Sequence, residues 1–255
     1  MTTTWIKERL EQLCQASPPD ELHPTMRSTP LQLLKRLSRE NPSKPMLFAS
    51  IATASSGFLD AIGYQQLNHL YVSFMSGNST HLGMSLAQGK WSDVLQASYV
   101  ISSFVAGSAI GTLMSDALER PLLALVLSEI MLCSVSAFLA AIGFGTPALL
   151  LIALTMGMQN VMHQNVSGTD VGKGFVTGAL FGFGQAIALA LKNSVSWSHA
   201  RVHGCSWISF IAGVIGGTIF VSTVGVAASL GFACVGLLAM TLMVVDAAIA
   251  GDHAC

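Results

Sequence analysis

From Met46 onward apolar residues fall in long runs rather than in two-residue alternation, and short polar turns separate the runs. The runs cover 46–66, 95–116, 121–143, 147–163, 204–224 and 228–250. Each is close to the roughly 20 residues that an α-helix needs to cross a bilayer core. Two further segments, 72–88 and 174–191, are interrupted by polar residues: Ser76-Gly77-Asn78-Ser79-Thr80-His81 in the first, Thr177-Gly178-Ala179 in the second. Either both cross, giving eight helices, or both are short or broken beside six full spans. The pattern predicts an all-α, polytopic helical membrane protein.

The order of residues inside these runs repeats. Gly57-Phe58-Leu59-Asp60-Ala61-Ile62 aligns with Gly157-Met158-Gln159-Asn160-Val161-Met162, 100 residues on. Phe74-Met75-Ser76-Gly77-Asn78 aligns with Phe175-Val176-Thr177-Gly178-Ala179, 101 residues on. Phe104-Val105-Ala106-Gly107 and Gly111-Thr112 align with Phe210-Ile211-Ala212-Gly213 and Gly217-Thr218, 106 residues on. So long a period describes a duplicated bundle, with a first repeat over 46–143 and a second over 147–250. Duplicated halves with substrate at their interface are a common transporter design. Eight crossings would make the halves parallel repeats, and six would make them inverted.

Composition narrows the class. Only 10% of the 255 residues are charged and mean hydropathy is +0.60, whereas soluble domains carry about 25% charge; the natural partner is the lipid bilayer. A net charge of −1 gives nucleic acid no electrostatic reason to bind. Residues 1–45 hold seven of the twelve Lys and Arg, which places the N-terminus in the cytoplasm. That tail contains Pro18-Pro19 and Pro24 and reads as mostly disordered up to Thr29-Pro30, which opens a short amphipathic helix with Leu31, Leu34 and Leu37 on one face. It has no apolar core of signal-peptide type. The five cysteines show no C-x-x-C spacing and read as buried thiols.

Polar residues at membrane depth are the candidates for chemistry, because they are costly there. Asp60 sits within the first run, with Thr53, Ser56, Gly57 and Tyr64 on its helix face. Its repeat counterpart is Asn160, beside Gln159. Ser76, Gly77, Asn78 and His81 form the second candidate, since a helix beginning near Gly77 would aim its amides at a cavity. A helix N-cap by Ser76 or Asn78 is the structural alternative. Thr177 and Gly178 are the repeat equivalents, and Glu129 is a secondary candidate in its own apolar run. No P-loop, G-x-S-x-G or H-E-x-x-H is present, and the histidines are too scattered for metal-ligand spacing. The expectation is therefore no catalytic residue, no metal and no cofactor. Gly107-x-x-x-Gly111, Gly213-x-x-x-Gly217 and Gly178-x-x-x-Gly182 predict close helix contacts, within the chain or in a homo-oligomer.

The runs around Gly57–Gly63, Phe74–Asn78, Met156–Asn160 and Val176–Leu180 resemble the YoaK-type multi-pass membrane proteins, a family of unknown function found in bacteria and fungi. The resemblance covers about residues 46–250 and departs at Ser76, where the family usually has threonine. It implies a compact helical membrane domain and permease-like behaviour, and no particular substrate. Three functions remain open on sequence: a small-solute permease coupled to a proton or cation through Asp60, a membrane scaffold, and a lipid-modifying enzyme using His81 or His163 with Asp60.

Overall fold

The computed structural model describes residues 43–118, 121–161, 165–166, 169–170 and 176–252. The N-terminal tail up to residue 42, with the amphipathic helix expected at Pro30, lies outside them. Seven helical elements follow: α1 (Ser43–Gln66), α2 (Met75–Ala87), α3 (Trp91–Ala117), α4 (Pro121–Ala141), α5 (Gly145–Gln159), α6 (Val176–Leu191) and α7 (Trp197–Asp252). A two-residue antiparallel ladder, β1 (Asn165–Val166) with β2 (Thr169–Asp170), sits between α5 and α6.

Local chemistry sets several of these boundaries. α1 ends where Asn68 and His69 take positive φ, and α3 opens with Asp93 in its first turn, favourable to the helix dipole. Pro121 stands first in α4, where its missing N–H costs nothing. α5 stops at Gln159 rather than running to 163; Asn160, still helical in φ and ψ, follows it and donates from Nδ2 to Met156 O (2.9 Å). The two runs expected at 204–224 and 228–250 form one element, α7, interrupted only by Gly225 at φ +82° and ψ 174°. That conformation is essentially confined to glycine, so a single residue separates the two halves of α7.

Among the described residues, three stretches are long and apolar enough to cross a membrane by length and composition: Trp91–Ala117, Leu123–Ala141 and Trp197–Ala239. α2 has 13 residues and α6 has 16, about 20 and 24 Å at 1.5 Å per residue, less than the roughly 30 Å hydrocarbon core. Outward faces carry Trp91, Leu113, Phe138, Phe181, Leu191 and Ile208, all more than half exposed. Those side chains face lipid, and the protein is an integral membrane protein.

Two helix pairs form the core, α1 against the first part of α7 and α3 against α5. Both are backbone-close. A Cβ on Gly57 would run into Phe210 O, one on Gly213 into Ala54 O, and one on Gly217 into Phe58 O. In the other pair, a Cβ on Gly157 would meet Phe104 O and one on Gly107 would meet Leu154 O, while Gly111 faces the Met158 backbone. The second part of α7 packs on α4, where Cys133 Sγ donates to Leu230 O (3.4 Å). Phe58, Phe220 and Phe232 form an aromatic cluster joining α1 to both parts of α7. α6 packs on α7 through Gly182, which lies against the His203 ring.

Candidate functional site

Asp60 stands in α1 with 2% of its surface exposed. Its side chain meets the link between α1 and α2: Oδ1 accepts from the backbone N–H of Val72 (2.9 Å) and of Ser73 (2.7 Å), and Oδ2 accepts from Ser73 Oγ (2.7 Å). Asn78, fully buried on α2, reaches the same link from the other side. Its Oδ1 accepts from Tyr71 N (2.8 Å) and its Nδ2 donates to Tyr71 O (2.7 Å). Two buried side chains from two helices thus satisfy consecutive backbone groups over 71–73. Such groups would otherwise be unpaired in an apolar interior, at a cost of about 1–3 kcal/mol each.

This differs from the expected helix start. α2 opens at Met75, two residues before Gly77, and Phe74 occupies the capping position without a side-chain bond. Neither Ser76 nor Asn78 caps the helix: Asn78 turns back to Tyr71, and Ser76 is exposed. Gly77 lies under the rings of Phe74 and Tyr71, where a Cβ would come within 2.6 Å of Phe74 Cδ1. Tyr64, 41% exposed, meets His69 edge-on and Tyr71 at a tilt, and Tyr71 meets Phe74 edge-on. Burial pushes the Tyr71 phenol above its ordinary pKa, so it stays a neutral donor. Aromatic rings therefore cover the outer side of the Asp60–Asn78 brace.

A second polar group lies deeper. Ser56, one turn before Asp60 on α1, has its Oγ 3.1 Å from Ala52 O and 3.2 Å from Gln159 Oε1. Gln159 in turn donates from Nε2 to Glu129 Oε2 (3.3 Å). The three residues come from α1, α5 and α4, and none is more than 1% exposed. Gln159 and Glu129 were both legible as candidates in sequence, but their pairing was not.

The other candidates are spread out. Asn160 is half-buried and bonded within its own helix. His81 is half-buried on α2. Thr177 and Gly178 are exposed in the first turn of α6 and take no part in the bonds just described. His163 lies outside the described residues. Ser73, which closes the Asp60 brace, escaped the sequence reading; its only signal is a hydroxyl between Val72 and Phe74 at the apolar end of the link. Among the described residues no group of three or more His, Cys, Asp or Glu side chains could hold a metal.

Residues 48–243 match a family described as "Protein of unknown function (DUF1275)". The chain is 30% identical to the UPF0700 transmembrane protein RA0705 of Rhizobium meliloti (strain 1021) over 194 residues, 74% of this chain and 81% of that protein. It is 24% identical to the UPF0700 transmembrane protein YoaK of Bacillus subtilis (strain 168) over 139 residues, 51% of this chain and 62% of that protein. No solved structure matches it.

Proposed function

This chain belongs to the DUF1275 family of transmembrane proteins, and on that premise we propose that it is a permease for a small polar solute. The solute site of this reading lies where α1, α4 and α5 meet at Ser56, Glu129 and Gln159, with Asp60 one turn along α1 and Asn78 of α2 bonded to the α1–α2 link beside it. One observation carries the reading: two carboxylates and a primary amide, Asp60, Glu129 and Gln159, are all buried in a helical membrane domain. Ionisable groups at that depth are expensive and mark solute or proton pathways more often than structural contacts.

The permease is built of two duplicated halves that exchange helices. Supporting this are contacts that map onto one another under the repeat. Gly57 meets Phe210, and their counterparts Gly157 and Phe104 meet in the other pair. Gly213 meets Ala54, and the counterparts Gly107 and Leu154 do the same. Each half thus lends its first helix to the third helix of the other. The same glycines are occupied inside the chain, so the scaffold reading and a homo-oligomer built on those Gly-x-x-x-Gly faces lose their main support.

Coupling enters through the brace. Asp60 as a carboxylate accepts three hydrogen bonds from the α1–α2 link; a proton or cation on it would weaken that hold and let the link and α2 move. A bound ion shifts the inward–outward equilibrium only by its differential affinity for the two states.

The test is a thermal-shift screen of a metabolite and ion library on the purified protein, with Asp60→Asn in parallel. A solute present at 100 times its Kd raises stability by about 2.7 kcal/mol, a readable shift. The expected result is a solute class that stabilises the wild type and is taken up by proteoliposomes. A well-folded protein that no polar solute stabilises would overturn the permease reading.

A further inference from the structure

The chain Ser56–Gln159–Glu129 is not something the packing requires. Under the 100-residue repeat, Ser56 answers to Met156 and Gln159 to Leu59. Both counterparts are equally buried, at 1% exposure each, and both are apolar. The same kind of helix junction is therefore filled by a thioether and an isobutyl group on one side, and by a hydroxyl and an amide on the other, with the Glu129 carboxylate set against the amide. Burying polar and ionisable groups where apolar ones serve is a net cost.

The geometry also selects the ligand. Gln159 turns its Nε2 toward Glu129 and its Oε1 toward Ser56, so the amide presents an N–H donor to the carboxylate. A metal cation would want an oxygen there; a protonated carboxyl can still accept the same N–H on its carbonyl oxygen, though more weakly than the carboxylate does. Asp60, in contrast, has three donors from one link committed to its two oxygens.

We infer that Glu129 carries a further exchangeable proton within the membrane, distinct from the proton or cation proposed for Asp60, with Gln159 as its positioning residue. A proton from the aqueous phase forms an O–H bond on the Glu129 carboxylate and neutralises it; its release to water reverses the step. The Ser56 hydroxyl, within reach of both Ala52 O and Gln159 Oε1, can follow a rotation of the amide. Around Glu129 the other ionisable groups are Cys133, one turn along α4 and in electrostatic range, Cys234 on α7 beside Cys133, and Asp60 one turn beyond Ser56 on α1. α5 carries no ionisable side chain, and on α3 Asp93 and Asp116 lie near its ends while Tyr99 is exposed. The use of this proton rests on the permease reading; its presence on Glu129 does not.

The test is a pH-difference infrared spectrum of the full-length protein in lipid nanodiscs, read at the C=O stretch of protonated carboxyls. The expected result is a titrating band that disappears in Glu129→Gln, returns displaced in Glu129→Asp, moves to higher frequency in Gln159→Leu as its hydrogen bond is lost, and persists in Asp60→Asn. If Glu129→Gln does not fold, the Gln159→Leu shift decides alone. A band that Asp60→Asn abolishes and Gln159→Leu leaves in place would overturn the assignment, as would the absence of any titrating carboxyl band. A band behaving as expected in a protein that moves no solute would sink the permease reading and leave the proton site standing.

Discussion

At the residue scale, the side chain that sequence singled out most strongly has a dual standing. Asp60 was identifiable because a carboxylate in an apolar run has few innocent explanations. What sequence could not reveal is that its acceptors are filled by Val72 and Ser73, because the link's path depends on two consecutive left-handed residues, Asn68 and His69. The brace makes its own prediction. Asp60→Ala leaves the Val72 and Ser73 donors unpaired and should destabilise the protein by about 1.5–3 kcal/mol or more, hydrogen bonds to charged groups being worth that much. Asn78→Ala, which strips both bonds from Tyr71, should cost about 1–3 kcal/mol. Thermal unfolding in nanodiscs checks both. Because the two side chains hold one short segment, their effects should be non-additive.

Helix boundaries were legible from hydropathy to within a few residues wherever runs were long, as for α3 and α4. They were less exact elsewhere: α5 ends four residues before its run does, and α2 begins before the glycine chosen as its start. Gly225 is the instructive element-scale case: hydropathy left it in the gap between the runs 204–224 and 228–250, with Gly231 inside the second run. The structure separates them. Gly225 holds a positive φ, whereas Gly231 is helical with open space where a Cβ would stand. Gly225→Ala should therefore cost about 1–3 kcal/mol through backbone strain, and Gly231→Ala should gain up to about 1 kcal/mol from helix propensity. Opposite shifts in melting temperature would place the break in α7; equal shifts would remove it.

For the whole molecule, the repeat in sequence anticipated which glycines matter but not where each finds its partner. Small-residue spacing cannot say which helix a face will meet. Here α1 packs on α7 and α5 on α3, so a cut between α4 and α5 would part the partners of both pairs. Expressed alone, residues 1–143 should fail to give a monodisperse, protease-resistant membrane domain. Co-expressed with residues 144–255 as a separate chain, they should recover it, because the contacts between α1 and α7 need proximity and not covalent continuity. Size-exclusion chromatography and limited proteolysis would read the outcome, and a compact fragment 1–143 on its own would contradict the exchange.

That arrangement also sets a schedule for birth at the ribosome. Gly57 must wait for Phe210, whose carbonyl it touches, to be synthesised. At about 5–20 residues per second, the interval is on the order of 10–30 s. Throughout it α1 sits in the bilayer with its glycine and serine face uncovered, a surface that other nascent helices could borrow. The demand on the insertion machinery is thus custody rather than threading: the first helix has to be kept apart until almost the last one arrives.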